Sequence, residues 1–201
     1  MSERRPLALV VCGALTREVR EIAARRGWDA DLYPIPALDH LAPRKIVEDV
    51  ERELASLDGR YEKVVVVYGD CGTFGALDRV LERFGAVRTE GPHCYEMLGG
   101  AELAAEAERR LSTFFLTDWL VRNWERAVVD GLGIGRFPFL RNTYFDHITE
   151  VLYLRQSREP SLEAKAREIA DSLGVPLEIR DVGLGDLERR LVERVEEPAP
   201  S

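Results

Sequence analysis

The stretch "VVVVYGDCGTFGAL", Val64–Leu77, decides the fold. Its first half continues from Lys63 to Tyr68 as an uncharged, β-branched run, the pattern of a central strand buried on both faces. A turn with Gly69, Gly72 and Gly75 follows. From Gly75 onward "GALDRVLERFG" takes up helical periodicity. The start of the chain repeats the succession. "LALVVCGAL" (Leu7–Leu15) gives a strand over Leu7–Val11, then a helix with Leu15, Val19, Ile22 and Ala23 on one face and Gly27 as its stop. The echo between "VVCGAL" and "DCGTFGAL" is too short to count as a repeat.

Working outward, "DADLYPIP" reads as a short strand and "APRKIVEDVERELASLDG" as a helix with Pro43 in its first turn. "AVRTEG" is a short strand leading into the loop "GPHCYEM", and a helix is expected from about Ala101 to Arg110. Thr113–Leu116 is a strand turning into a helix, with Asp118 at the junction as carboxyl-end group or N-cap. "GRFPFLRNTYFDHIT" reads as irregular. "EVLYLRQ", "PSLEAKAREIADSLG", "VPLEIRDV" and "LGDLERRLVERV" then alternate strand and helix. This alternation predicts an α/β, Rossmann-like fold: a mostly parallel sheet with helices on both faces. The expected organisation is one domain over 1–195, with two similar halves divided near 100–112 left open, and a flexible tail over 196–201.

Composition narrows the function. Over 201 residues, 28 basic against 36 acidic side chains give a net charge of −8. Nucleic-acid binding draws its affinity from dense Lys and Arg, so that class is set aside. No run approaches the ~20 apolar residues of a membrane span. Three cysteines, an odd number, make no disulfide framework. The expectation is a cytoplasmic protein with reduced thiols.

The cysteines carry the chemistry. Cys12 directly follows the first strand, Cys71 follows the third after Gly69 and Asp70, and Cys94 lies in the loop after the strand near Val87. Carboxyl ends of parallel strands share one edge, where ligands bind. Cys12 and Cys71 precede expected helices, whose free N–H groups favour thiolates; Gly13 and Gly72 allow close backbone approach. Three converging thiolates repel one another unless a cation holds them. Zinc with three protein ligands keeps a position open, and an iron–sulfur cluster on three cysteines suits the same layout. His93 and Glu96 are candidate fourth ligands or neighbours of the ligands, and Asp70, His93 and Glu96 are candidate proton carriers. Glu18 and His40 are weaker candidates for contact with the bound group. Two competing readings remain: three thiols that simply pack as small hydrophobes, and a lone catalytic thiolate at Cys71 with His93 as base. "GDCGTFG" lacks the Lys-Ser/Thr ending of a phosphate loop, and "GLGIG" (Gly131–Gly135) follows a helix instead of a strand, so nucleotide binding is a minor alternative.

These motifs, in order, resemble domain-of-unknown-function family 1638. The pattern is a strand ending in Cys before a helix with an early Glu ("VVCGALTREV"), a Pro-rich turn with a His ("PIPALDHLAP"), Tyr-Gly-x-Cys-Gly ("YGDCG"), a His and Cys loop ("GPHCYEMLGG") and an aromatic strand ("STFFLTDWL"). The likeness covers roughly Leu7 to Arg155. It implies that Cys12, Cys71 and Cys94 belong to the family pattern, with His40, Glu18 and His93 as weaker matches; relatives with His-x-Cys have a spacer that His93-Cys94 lacks. It also implies an association with corrinoid-dependent methyl transfer. The resulting expectation is a metal-dependent enzyme, or metal-bearing accessory protein, of one-carbon metabolism, acting on a small-molecule substrate. The alternative is a non-catalytic partner or chaperone of a corrinoid methyltransferase system, using Arg136–Ile148 as its contact surface. A homo-oligomer is left open.

Overall fold

A computed structural model describes residues 5–196, which fall into two compact units. The first comprises residues 5–97 and 186–196, the second residues 98–185. The tail expected at 196–201 lies, beyond Glu196, outside the described residues. Among the described residues no helix is long and apolar enough to cross a membrane.

The first unit is a four-stranded parallel sheet. Its strands are β1 (Arg5–Cys12), β2 (Ala30–Ile35), β3 (Tyr61–Val67) and β4 (Val87–Arg88), in the order β2-β1-β3-β4. The register pairs Leu9 with Leu32 on one side and with Val65 on the other. The continuous apolar runs expected of doubly covered strands are buried: Leu9, Val10, Val11, Val65, Val66 and Val67 have no exposed surface. Each such side chain contributes about 1.5–3 kcal/mol by leaving water.

The helices are α1 (Thr16–Arg26), α2 (Pro43–Leu57) and α3 (Ala76–Phe84). α1 ends at Gly27 in the left-handed conformation, as its sequence predicts. α2 buries Ile46, Val50, Leu54 and Leu57 on one stripe. The chain goes from β1 out to β2, then back past β1 to β3. This reversal makes the gap between the carboxyl ends of β1 and β3 the switch point of the sheet, the place where α/β folds bind ligands.

One helix starts earlier than the sequence suggests. α4 spans Cys94–Ala107, interrupted at Gly100 by a non-helical torsion. The expected helix began only near Ala101 because Gly99-Gly100 masks the first turns. Cys94 therefore opens a helix instead of sitting in a loop.

The second unit holds the parallel sheet β5-β6-β7 (Thr113–Thr117, Glu150–Arg155, Leu177–Asp181). Around it are α5 (Asp118–Arg122), a π-helical stretch Glu125–Asp130, α6 (Leu140–Phe145) and α7 (Pro160–Leu173). α6 replaces part of the stretch expected to be irregular; Phe145 anchors it, packing edge-on against Phe114 with ring centroids 5.3 Å apart. The closing helix α8 (Leu187–Glu196) belongs to the first unit, where Arg25 and Arg26 of α1 pair with Glu188 and Lys63 donates to the Val195 carbonyl.

Candidate functional site

The switch point of the first sheet is flanked by Cys12, the last residue of β1, and by Cys71, which follows β3. Three glycines let the surrounding loops close in. A Cβ on Gly13 would lie 2.8 Å from the Ile35 carbonyl and 3.0 Å from Ala37 N, so glycine alone admits the 3-10 turn Ala37–Leu41 against Cys12. A Cβ on Gly69 would meet Gly91 O and His93 N at 3.1 Å, so the loop leading into Cys94 and α4 lies against the one bearing Cys71. Gly72, at φ +82°, rests on Pro43. The Cys71 loop is stitched to its neighbour by Asp70 N to Gly91 O (3.0 Å) and Cys71 N to Pro92 O (2.8 Å).

The result is a cluster of three thiols. Cys12 is buried, while Cys71 and Cys94 are partly buried. They stand within each other's electrostatic reach: charge on Cys12 raises the pKa of Cys71, and charge on Cys12 and Cys71 raises that of Cys94. Burial is the larger cause in each case, pushing Cys12 up to about 11, Cys71 up to about 12 and Cys94 well above its ordinary value. Each sulfur also faces backbone groups that favour the thiolate, at Ala14 and Leu15 for Cys12, at Cys94 and Gly69 for Cys71, and at Cys94 and Tyr95 for Cys94. The expectation that helix starts lower the Cys12 and Cys71 pKa values is overturned. The backbone groups are in place, but burial outweighs them, and α3 begins five residues after Cys71 instead of beside it. An unaided nucleophilic thiolate at Cys71 is disfavoured accordingly.

Among the described residues no group of three or more His, Cys, Asp or Glu side chains stands arranged around one metal ion. Cysteine sulfur is the donor type that zinc and iron–sulfur clusters take, and each of the three thiols has backbone groups beside it that favour the thiolate.

His40 sits in the turn that Gly13 admits. Its Nδ1–H donates to the Ala37 carbonyl at 2.9 Å, and its Nε2 is buried without a hydrogen-bond partner. Its ring stacks on Tyr68, with centroids 5.7 Å apart and planes 17° apart. Burial lowers the His40 pKa, and the neighbouring His93 lowers it further, against the Ala37 carbonyl and Asp39. The imidazole is therefore held neutral. Tyr68 is fully buried, and its hydroxyl lies against the Cys12 thiol. As the last apolar residue of a strand run it reads in sequence as core, and only its position after β3 marks it as a neighbour of the cluster.

The remaining candidates scatter. Asp70 is a turn holder: its carboxylate accepts from Thr73 Oγ1 (2.9 Å), Phe74 N (3.0 Å) and Gly75 N (2.9 Å). Burial pushes its pKa up, but these donors and the Arg88 charge bring it below the ordinary value. With Phe74 N and Gly75 N so engaged, the turn does not offer those amides to a phosphate. His93 is exposed. The Glu96 carboxylate turns toward Gly91, where a Cβ would stand 3.3 Å from Glu96 Oε2 and 3.2 Å from Arg190 Nη1. Glu18 is buried on α1.

No curated protein and no solved structure is matched by the chain. A family model described as "Protein of unknown function (DUF1638)" matches residues 35–191. The matched span includes His40, Cys71 and Cys94, leaves Cys12 and Glu18 before its start, and runs well past Arg155, where the motif likeness ended. With the greater part of its length matched, the chain belongs to the DUF1638 family of proteins of unknown function.

Proposed function

We propose that the protein is a metal-dependent enzyme, or a metal-bearing accessory protein, of methyl-group metabolism, with Cys12, Cys71 and Cys94 holding zinc or an iron–sulfur cluster. One observation carries the reading. Three thiols from separate segments influence one another electrostatically beside the carboxyl ends of β1 and β3, and each has backbone groups near it that favour its thiolate. Burial keeps the thiols protonated without a cation, so binding a metal would release protons. The bound metal would supply Lewis acidity or electron transfer to a small-molecule substrate. The chain's own residues would orient it: Asp70 by holding the Cys71 turn, His40 and Tyr68 by walling the Cys12 side. The link to methyl transfer rests on the family resemblance alone.

The test is elemental analysis and absorbance of protein purified without oxygen. About one zinc per chain, or a brown chromophore with iron and sulfide, is expected, and either should be lost when the three cysteines are changed to serine. A wild-type protein free of both zinc and iron ends the reading.

A second reading is favoured by one observation in the other unit. Phe137, Phe139 and Tyr144 are 43%, 69% and 40% exposed within the segment read in sequence as a contact surface. In this reading the protein is a non-catalytic partner of a corrinoid methyltransferase. Binding of that partner that is lost on changing these three residues to serine, with metal content unaltered, would favour it.

A further inference from the structure

We infer that Phe74 and Arg79 are the recognition point for the small molecule taken at the switch point, and that this molecule is an anion with a flat aromatic body. The inference rests on the small-molecule reading above and names the class of molecule. Among the described residues, Cys71 and Phe74 are the non-glycine positions with left-handed torsions, and Phe74 stands at φ +51°. A bulky side chain is strained there, where glycine is not. The fold offers the ring no packing to offset that strain, since Phe74 is 90% exposed. The backbone is nevertheless fixed: Phe74 N and Gly75 N donate to the Asp70 carboxylate at 3.0 and 2.9 Å, and Thr73 N donates to the Asp70 carbonyl at 2.9 Å. Glycine would serve this turn better. A large ring held in water on a fixed and strained backbone, three residues after Cys71, is a contact for something outside the chain.

The charge of that contact is set by Arg79, in the first turn of α3. Its Nη1 lies 3.9 Å from the place of a Cβ on Gly75, so the guanidinium folds back along the turn that carries Phe74. Arg79 is exposed and makes no ion pair among the described residues. The charges around it are already matched: Asp78 holds Arg88 at 2.5 Å and Arg83 holds Glu51 at 2.6 Å, while Asp70 is engaged by its own turn. With the amides of Phe74 and Gly75 occupied, the guanidinium is left to take the negative group, and the phenyl ring to stack on the flat body. Gly72, in the same loop, rests on Pro43, and Leu41, two residues before Pro43, is 50% exposed, which extends the apolar edge.

The probe is anilinonaphthalene sulfonate, an aromatic anion, titrated into the full-length protein and read by its fluorescence. Phe74→Gly and Arg79→Gln should each bind it about fivefold or more weakly than the wild type. Phenylnaphthylamine, which keeps the rings and lacks the sulfonate, should bind the wild type about fivefold more weakly than the anion does. Phe139→Ser, in the other unit, should leave binding unchanged. Because glycine suits the left-handed torsion, Phe74→Gly should melt no earlier than the wild type, so its loss of binding is not a loss of fold. A wild type that ignores the dye, equal binding by Phe74→Gly, equal binding of the uncharged analogue, loss in Phe139→Ser, or an early melt of Phe74→Gly overturns the inference. Metal content, measured on the same samples, keeps the two readings apart. A zinc or iron centre that persists while dye binding ignores Phe74 sinks this inference alone, and Phe74-dependent binding to a protein without metal sinks the metal centre alone.

Discussion

The Tyr68 ring lies nearly parallel to the His40 imidazole, 17° between planes and 5.7 Å between centroids, at the carboxyl end of a buried strand. The contact joins a residue of the sheet core to one carried by a short turn, and the stability of the first unit should report on it. Tyr68→Phe keeps the stack and removes only the hydroxyl, so urea unfolding should shift by less than about 1 kcal/mol in either direction. Tyr68→Ala removes the ring from a fully buried position and should cost about 3–5 kcal/mol. Equal losses in the two variants would show that the hydroxyl, and not the ring, is the important part.

Gly13 is predicted to tolerate no side chain. The methyl of Gly13→Ala would meet backbone at Ile35 and Ala37, atoms that cannot turn aside. Loss of about 1–3 kcal/mol is expected in a denaturant titration. Gly27→Ala is the control: nothing lies within 4 Å of its would-be Cβ, so its cost should come from the left-handed torsion at φ +67° alone.

In the second unit, Arg110 joins Glu106, Glu150 and Glu178, and Arg180 joins Glu106 and Glu178. Hydrogen bonding to Arg180, ahead of the contribution from Arg110, brings the Glu106 carboxyl down to about 2 from 4.5. A depressed folded-state pKa contributes stability that is complete above the unfolded value and is lost as pH falls from about 4.5 toward about 2. Glu106→Gln should therefore flatten the acid limb of stability against pH and cost on the order of 1 kcal/mol at pH 7. Unchanged acid unfolding in this variant would show the network to be idle.

Asp118 is 1% exposed and accepts from Tyr153 Oη at 2.7 Å, from Gln156 N and Ser157 N at 3.0 Å each, and from the Ser157 hydroxyl. It ties the end of β5 to the turn after β6. Asp118→Ala would strand these donors out of water and should cost about 3–5 kcal/mol, read from thermal unfolding. A loss below about 1 kcal/mol would mean that water takes over its role.

Much of this was legible in the sequence. The doubly buried strands declare themselves as uncharged runs such as Val64–Val67, and α1, α2 and α7 by the spacing of their apolar residues. Cys12 and Cys71 at strand ends could be placed for the same reason. What escaped depends on contacts between distant segments. Burial of the thiols outweighs the backbone groups beside them, and no local pattern reports burial. Asp118 read as either a carboxyl-end group or a helix cap; Thr117 takes the cap role, accepting from Leu120 N at 3.3 Å, while Asp118 faces a turn 38 residues away. The start of α4 was hidden by Gly99-Gly100. The return of α8 to the first unit, sealed by Glu188 with Arg25 and Arg26, leaves no trace in spacing or composition.

Cys71 holds a left-handed torsion, φ +48°, in a turn where Gly72 and Gly75 are also left-handed. A third glycine would relax that strain, by roughly 1 kcal/mol. Among variants without the thiol, Cys71→Gly should thus unfold later than Cys71→Ala. A backbone that keeps sulfur where bare hydrogen would sit more easily gives up durability at that one position.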